Sequence, residues 1–254
     1  MLHLKRKIGP FTYHRIWFAQ QTRLSWGLRF VSLRQFKGNK APAFFVRKKF
    51  FTQLIDLVQD AEKILEGMSK HTSYQIRRAE KDGLSVTTST DCAGFVRFFN
   101  VFAPSRGLSP LDVKAVESMN PNIIFTEVRA SAEFGNALLA VHGYLFDVED
   151  SRVRQLYSAT MVREDSEDEA GTEPKVSNAL IGRANRFLTF KDMVLAQEKG
   201  FRTFDFGGVA FNPDNEATQG IDEFKLGFGG TTVEQDHFDS FPLVLAQKLT
   251  RKGA

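Results

Sequence analysis

The sequence has little of what builds metal centres or disulfide frameworks. It has one cysteine among 254 residues, Cys92, so no internal disulfide can form and the reducing cytoplasm is the expected location. Because Cys92 follows Asp91 at a predicted helix start, it could be a reactive thiolate, but a buried small side chain is the favoured interpretation. The five histidines are scattered without metal-ligand spacing, so no metal is expected.

Several other signatures are missing. No apolar run approaches the roughly 18 residues of a membrane span, and polar residues interrupt the N-terminal segment where a signal peptide has its apolar core. The sequence lacks a G-x-S-x-G nucleophile elbow, a phosphate loop ending in Gly-Lys-Ser/Thr, and a GxGxxG motif after a strand. The expected protein is therefore soluble, not exported, and acts through Asp, Tyr, Lys, Arg and bound organic donors.

Acidic residues are absent from the beginning of the chain. Residues 1–50 hold twelve Lys or Arg, the first acid is Asp56, and the net charge of the whole chain is only +4. A basic segment of this kind attracts phosphate, whether in a nucleotide-sugar, a lipid head group or RNA. It can equally be a solvated face balanced by the acidic remainder, and the sequence leaves both interpretations open.

Hydrophobic periodicity predicts a mixed α+β fold. Strands are predicted at 26–35, 43–49, 84–90, 123–131, 137–146, 153–162, 201–206 and 231–237. Helices are predicted over 51–65, 73–83, 91–103, 109–118, 184–199 and 221–225, with Ser69 or Thr72 as the cap of the second. An acidic loop is predicted between Glu164 and Glu173. The order of meander, helix, strand, glycine-rich corner and final strand differs from regular βαβ alternation.

The most informative segment lies near the C-terminal end. Arg183 and Arg186 are predicted at a helix entrance, where free backbone N–H groups bind anions and arginine adds bidentate phosphate contacts. The strand that contains Asp205 ends in Gly207 and Gly208, which permit a sharp turn or the close approach of a ligand. Farther on, a run rich in glycine and phenylalanine could direct the ammonium of Lys225 into a cleft.

This segment resembles the Fem family of peptidyltransferases, which have a GNAT-type acyltransferase fold. The family pattern is (Y/F)-D-F-G-G followed by G-I-x-x-F-K-x-G-F-G, and residues 204–208 and 220–229 are similar to it. Residues 73–83 are similar to the family's R-x-x-I-x-K-A-x-x-x-G helix, and residues 156–160 to its Y-x-x-G-A strand. The resemblance covers scattered pieces from about residue 70 to 235. Because Fem enzymes are longer, a trimmed first lobe without a helical arm is expected.

The resemblance implies an architecture and an activity. The implied fold is a GNAT-like mixed sheet flanked by helices, with residues 1–120 as a reduced N-terminal lobe and 121–254 as the acyltransferase lobe. The implied activity is N-acyl transfer to an amino group of a cell-envelope or polysaccharide precursor, either a small molecule or lipid-linked. The donor is acyl-CoA or aminoacyl-tRNA. It stays open because residues 179–184 lack the leading Gln or Arg of the GNAT pyrophosphate loop.

The resemblance also assigns roles to residues. Lys225 belongs to the transfer site, where its ammonium would face the developing oxyanion, while Phe224 and Phe228 would keep the cleft dry. Asp205 is a candidate base and Tyr157 a candidate proton donor, although both residue types are also common as buried structural side chains. The candidate donor-binding residues are Arg183, Arg186, Phe224, Gly207 and Gly208, and the candidate acceptor-binding residues are Arg77 and Arg78.

A second hypothesis is a non-catalytic module of the same fold that binds RNA or another anionic polymer. It rests on the basic N-terminal segment and its interleaved aromatic residues, which suit base stacking and phosphate contact. These aromatic residues are Phe11, Tyr13, Trp17, Phe18 and Trp26. Under the transferase hypothesis tRNA is also a candidate partner, and peripheral contact with a membrane is compatible with both hypotheses. The sequence does not indicate an oligomeric state.

Overall fold

The computed structural model describes residues 1–8, 10–162, 176–210 and 216–251. Its strands are β1 (Leu2–Ile8), β2 (Phe11–Trp17), β3 (Phe30–Phe36), β4 (Phe45–Asp56), β5 (Ser85–Ser89), β6 (Ile123–Arg129), β7 (Leu138–Asp147), β8 (Arg152–Thr160), β9 (Thr203–Gly208) and β10 (Thr231–Ser240). Its helices are α1 (Ala61–Glu66), α2 (Lys70–Lys81), α3 (Cys92–Phe102), α4 (Val113–Glu117), α5 (Asn178–Glu198), α6 (Glu216–Leu226) and α7 (Phe241–Arg251). The predicted acidic loop lies outside the described residues.

The ten strands form one mixed sheet in the order β1-β2-β3-β10-β4-β9-β8-β7-β6-β5. The predicted antiparallel meander is present as β6, β7 and β8, and α5 connects β8 to β9, which runs parallel to it. The predicted α+β class, a mixed sheet flanked by helices, is therefore confirmed.

Helices cover both faces of the sheet at its β5–β8 side. On β7, His142 and Tyr144 face α5, where the Asp192 carboxylate accepts a hydrogen bond from each. The intervening Gly143 faces the other side, toward Tyr157 and Phe95 of α3. This alternation is the two-residue period of a strand. The larger core cluster lies under α2 and α5, and a second cluster packs around α3.

The helix predicted from Phe51 to Leu65 is wrong over its first half. β4 continues to Asp56, and α1 begins only at Ala61, after the Asp60 side chain accepts a hydrogen bond from the Lys63 amide. β4 is a central strand, paired with β10 on one edge and β9 on the other. Residues 50–55 of β4 are covered on both faces, so the apolar residues there need not alternate and can imitate helical spacing.

Other element boundaries also differ from those predicted. β3 begins at Phe30 rather than residue 26, and α4 is shorter than the helix predicted over 109–118. α5 begins at Asn178, capped by Ser177, well before the predicted start at residue 184. The sequence predictions omitted β1, β2 and α7.

Strands from both sides of residue 120 meet in this one sheet. β10 lies between β3 and β4, while β5 lies beside β6. The division at residue 120 and the reduced second lobe remain predictions. None of the helices in the described part of the chain combines the length and apolar composition needed to cross a membrane.

Candidate active site between β8 and β9

The neighbouring parallel strands β8 and β9 part after a short common stretch. They pair only from Arg152 and Thr203 to Arg154 and Asp205, although β8 continues to Thr160 and β9 to Gly208. Beyond this point the β8 edge that faces β9 has backbone groups without a strand partner, and such groups can bind an extended ligand. The split-strand site is defined here as Arg154, Asp205, Gly207, Gly208 and Lys225.

Lys225 lies at the open end of this gap. Its Nζ donates a hydrogen bond to the carbonyl oxygen of Gly208, the last residue of β9. Burial and the nearby Arg154 charge lower the pKa of Lys225 to about 8, although Asp222 and Asp205 partly oppose the shift. At neutral pH the side chain therefore remains an ammonium in most molecules, close to the pH at which it becomes neutral.

Contacts near the middle of α6 and just after its C-terminal end fix the position of Lys225. Near its middle, the two carboxylate oxygens of Asp222 accept hydrogen bonds from the Ala210 amide at 3.0 and 3.1 Å. Just after the helix, the Gly227 carbonyl accepts a hydrogen bond from the Ser69 amide at the start of α2. Phe228 is buried, with its ring 5.1 Å from that of Phe206 on β9. The ammonium is thus carried on a firmly attached element.

Asp205 lies fully buried at the point where the strands part. Its carboxylate accepts hydrogen bonds from Arg152, Arg154, the Thr52 hydroxyl, Gln35 Nε2 at 2.7 Å and the Gly207 amide at 2.7 Å. Burial by itself raises the pKa of Asp205, but Arg154, Arg152 and the hydrogen bonds outweigh it, and the net pKa is lowered. A carboxylate held in this way is a poor proton acceptor. The geometry favours an anchoring role over the predicted base role.

Sequence reasoning missed Arg154, which fills the space beside Asp205. Its guanidinium carbon lies 5.0 Å from the ring centre of Trp17 and 5.3 Å from that of Phe50. A Cβ at Gly207 would meet the Arg154 Nη2 atom at 3.0 Å, and Gly207 has a φ of +76°. The positive φ favours glycine here, and the contact with Arg154 leaves little room for a larger side chain. The signal was available, because Arg152 and Arg154 are two positions apart and so share one face of a strand.

A neutral histidine borders the same aromatic ring. His237 stacks on Phe50 with ring centres 4.1 Å apart, and Arg34 Nη1 donates to its Nδ1 at 3.2 Å. Burial and the charges of Arg34 and Arg154 lower the pKa of His237 to about 3. Its Nε2 is buried without a hydrogen-bond partner among the described residues. No sequence motif marks this histidine, because strand pairing brings its neighbours Phe50 and Arg34 to it from distant parts of the sequence.

Comparisons with known proteins identify the architecture. No protein-family model and no curated protein match the sequence. The crystal structure of FemX matches with a TM-score of 0.64 and 14% identity, over 97% of this chain and 85% of the FemX chain. The structure of L-PGS from Bacillus licheniformis matches with a TM-score of 0.55 and 9% identity, over 97% of this chain and 85% of that chain. The chain has a Fem/GNAT-like fold.

Tyr157 lies on the part of β8 that pairs with β7 but no longer with β9. Its ring packs 5.9 Å from Phe95 and 5.6 Å from Phe99, on the α3 side of the sheet. Burial raises the pKa of Tyr157, so its hydroxyl stays protonated at neutral pH. The described contacts do not join Tyr157 to Lys225, and its catalytic role stays a prediction.

The two arginines predicted at a helix entrance lie farther inside the helix, because α5 begins at Asn178. Arg183 is engaged in a structural contact, since it donates to the Asp82 carboxylate and to the Gln75 side chain and so ties α5 to α2. That contact leaves it poorly placed to bind a donor phosphate.

Arg186 is the more available of the two arginines. Its guanidinium lies 5.2 Å from the Phe224 ring centre and donates to the Gly182 carbonyl at 3.1 Å. It pairs with no carboxylate within the described residues, its Nε has no partner among them, and burial lowers its pKa. Its position next to Phe224 sets it beside the helix that carries Lys225.

Arg77 and Arg78 lie exposed on α2. They pair with Glu62 at 3.3 Å and with Asp82 at 2.9 Å. None of these contacts reaches the split-strand site, so the structure does not bring the candidate acceptor-binding arginines together with Lys225.

A cavity of about 520 Å³ adjoins the end of β8 on the α3 side. Phe95, Phe125 and Met161 give it an apolar lining, and Asp91, Arg97, Glu127 and Arg129 also line it. The Thr126 hydroxyl lies on the opposite side of the sheet, because Thr126 pairs with His142 of β7, and it is buried without a partner among the described residues. In the same part of the chain, no group of three or more His, Cys, Asp or Glu side chains could hold a metal ion.

The aromatic residues of the RNA hypothesis do not form the predicted stacking surface. Trp17 and Phe18 are buried in the cluster around α3, and Trp26 packs partly buried against another cluster. Phe11 is the member of the set that is largely exposed. The last two residues of β2, Ile16 and Trp17, are both buried, in two different core clusters. The basic composition of the segment gave no sign of this burial.

Proposed function

We propose that this protein is a transferase that moves an acyl or aminoacyl group to an amino group at the split-strand site. The observation that carries the proposal is the Lys225 ammonium, held against Gly208 where β8 and β9 part. The Fem-like fold and the motif that contains Lys225 support the same reaction class.

The proposed role of Lys225 is to stabilise the transition state. As the amine attacks, the carbonyl oxygen of the donor becomes anionic. One of the three N–H groups of Lys225 is used by Gly208, and the other two can donate to this oxygen. A single donor of this kind is worth about 3–4 kcal/mol of barrier. Phe224 and Phe228 would exclude water and so strengthen the interaction.

Proton balance gives Tyr157 its proposed role. The attacking amine loses one proton, and the leaving thiolate of CoA or hydroxyl oxygen of tRNA gains one. Because its raised pKa keeps Tyr157 protonated, it can give a proton to the leaving group and recover one from the amine. Asp205 is excluded from this step in the proposal, since its carboxylate is committed to two arginines.

Both donors remain in the proposal, acyl-CoA and aminoacyl-tRNA. Arg186 is the phosphate-binding residue that we propose for either, because it is half-buried and pairs with no carboxylate in the described chain. Gly207 and Gly208 let the donor approach the backbone closely. Both donors are made in the cytoplasm, which is therefore the location that we propose.

The cavity beside α3 is the place that we propose for the acceptor. Its apolar lining and charged residues fit an amine with an apolar body, such as an amino sugar or peptide of a cell-envelope precursor, free or lipid-linked. In this proposal Arg77 and Arg78 bind a more distant phosphate of the acceptor.

Substitution of Lys225 tests the reaction class. We expect Lys225→Ala to lose well over tenfold in turnover, measured as CoA release from acetyl-CoA or amino-acid release from aminoacyl-tRNA with a panel of amine acceptors. The melting temperature should change by only a few degrees. Lys191→Ala is the matched control, because Lys191 pairs with Glu80 on the surface. Full activity of Lys225→Ala would remove Lys225 from the chemistry.

A thermal-shift experiment separates the donors. Acetyl-CoA at about 100 times its Kd should stabilise the protein by roughly 2.7 kcal/mol if it binds the folded state alone. Arg186→Gln should weaken this effect, whereas Arg78→Gln should not. If CoA does not shift the melting temperature and the protein binds charged tRNA, aminoacyl-tRNA is the donor.

A further inference from the structure

We propose that an apolar end face of the molecule docks on an anionic lipid bilayer. This apolar end face is built from large side chains that expose about half of their surface or more, from 49% at Phe44 to 70% at Leu28. Its members are Phe11, Leu28, Phe44, Phe241, Leu245 and Leu249.

These residues come from distant parts of the sequence and meet at one end of the sheet. Phe11 and Leu28 line a common cavity with Pro242 of α7. The Phe241 amide donates to the Phe44 carbonyl at 3.0 Å. Contiguous exposed apolar surface of this kind marks an interaction site in a soluble protein.

Helix α7 has apolar residues on two sides. Leu243 is buried, and α7 contacts β3, β10 and β4. Phe241, Leu245 and Leu249 follow at intervals of four, so they form a stripe along one side of the helix, and all three are exposed. A helix that needed only to cover the sheet would carry polar residues in this stripe.

The backbone at Phe44 supports a functional reason for the exposure. Phe44 has a φ of +63°, in the left-handed region that a bulky residue adopts at a cost of about 1–3 kcal/mol. The strained conformation leaves about half of the Phe44 surface in water, so burial within this chain offsets only part of the cost.

The charge around the face selects an anionic surface as the partner. Residues 1–50 hold twelve Lys or Arg and residues 241–254 three more, and neither segment contains an acid. Lys5 and Arg29 line the cavity beside Phe11, and Lys248 lies on α7 next to the apolar stripe. These three residues form no ion pair within the described chain. Lysine and arginine near an anionic membrane contribute about 1 kcal/mol each.

The position of the face connects it with the proposed reaction, and this step rests on the proposed function. β4 runs antiparallel to β9, with Thr52 opposite Gly208. The gap between β8 and β9 therefore opens toward the end of the sheet where β4 begins, beside Phe44. That end lies about 24 Å farther along β4 at roughly 3.4 Å per residue. A bilayer docked there would present lipid-linked amines to the site.

Vesicle flotation tests the docking without any need for turnover, so its failure is distinct from failure of the transferase proposal. The probes are vesicles of phosphatidylcholine alone and of phosphatidylcholine with phosphatidylglycerol at 7:3. We expect roughly tenfold or more tighter binding to the anionic vesicles, weakened by added salt. The double variant Phe241→Ser/Leu245→Ser should lose about tenfold of that binding, and Arg29→Gln/Lys248→Gln a similar factor.

Val101→Ser/Val148→Ser is the matched control, since both valines are highly exposed outside the apolar end face. It should bind like the unaltered protein, and circular dichroism should show all variants folded. Equal binding to both vesicle types, or unaltered binding by the Phe241→Ser/Leu245→Ser variant, would overturn the proposal. So would a dimer in light scattering that the same variant dissociates, because a second copy would then cover the face.

Discussion

Among single residues, Lys225 has the property that bears most directly on the reaction. Its lowered pKa of about 8 means that the ammonium is the dominant form below that pH and is lost as the pH rises through it. In the unfolded chain the proton is held up to the ordinary pKa of 10.5. The contribution of this group to the free energy of unfolding therefore rises from pH 8 to 10.5, while its catalytic charge disappears.

We expect kcat to fall with rising pH around 8, because the ammonium that stabilises the oxyanion is lost. Lys225→Arg keeps a positive charge at every accessible pH. Its kcat should be lower, but it should lack this alkaline fall. The test is to measure kcat against pH for the unaltered protein and for Lys225→Arg, with the same donor and acceptor. An unchanged alkaline fall in Lys225→Arg would assign the titration to another group.

Asp205 gives a prediction about stability. In Asp205→Asn, Arg152 and Arg154 would lose the carboxylate between them while remaining buried, and such a loss costs about 3–5 kcal/mol. Urea unfolding at pH 7 measures the difference. Arg47→Gln, which breaks an exposed pair with Asp236, should cost less than about 1 kcal/mol. Equal losses of unfolding free energy in the two variants would show that the buried ion pairs stabilise the fold no more than the exposed pair does.

Asp205 also predicts how the stability of the protein depends on acidic pH. The folded pKa of Asp205 lies below its ordinary 3.8, so its stabilising contribution is present above that pH. The contribution is lost as the pH falls through the folded pKa. The difference in unfolding free energy between the protein and Asp205→Asn should therefore shrink only below about pH 4.

At the residue scale the sequence pointed to Lys225 and Gly207 because spacing and glycine chemistry are local signals, and their functional roles stay predictions. It missed Arg154 and His237, whose importance arises from pairing between β8, β9, β4 and β10. It also misplaced Arg183, since a helix start six residues earlier changes a capping position into an interior one. The spacing of Arg152 and Arg154 indicates a shared strand face, but it does not show which side chains from other strands they meet.

Among the elements, strand β8 has two parts that differ in the strands with which they pair. Its first residues pair on both sides, with β7 and with β9, whereas residues 155–160 pair with β7 alone. In hydrogen exchange followed by mass spectrometry, we expect peptides from 155–160 to exchange faster than the segment 152–154. A donor that lies along the free edge should slow the exchange of 155–160 selectively.

Strand β5 provides the comparison for that experiment. It pairs with β6 alone and lies at the edge of the sheet, far from the gap. Its exchange should not respond to CoA or to charged tRNA. Slower exchange in β5 and β8 alike would indicate a general tightening of the fold rather than a ligand in the gap.

Elements with a strong local pattern were predicted correctly. The helix after Ser69 has its cap, amphipathic spacing and terminal glycine close together, and it forms α2. The meander strands have alternation and turn residues, and they form β6, β7 and β8. The pattern from Phe51 misled because residues 50–55 of β4 are covered on both faces. The hairpin β1–β2 is rich in basic residues, which hid its two-residue period.

At the scale of the whole molecule, the continuous sheet predicts how the protein unfolds. Strands from both sides of residue 120 are interleaved, so the predicted lobes share hydrogen-bonded neighbours. We expect one calorimetric transition whose van't Hoff enthalpy equals the calorimetric enthalpy. Phe238→Ala and Leu188→Ala, in different core clusters, should lower the same melting temperature. Two separate transitions would support independent lobes divided near residue 120.

The central place of β10 has a consequence for synthesis of the chain. β3 and β4 follow each other in sequence, yet in the sheet they are joined only through β10, which the ribosome makes last among the strands of the described chain. Until then the nascent protein exposes two unsatisfied strand edges, which invite aggregation. We therefore expect these two edges to need protection from other chains until β10 has been synthesised.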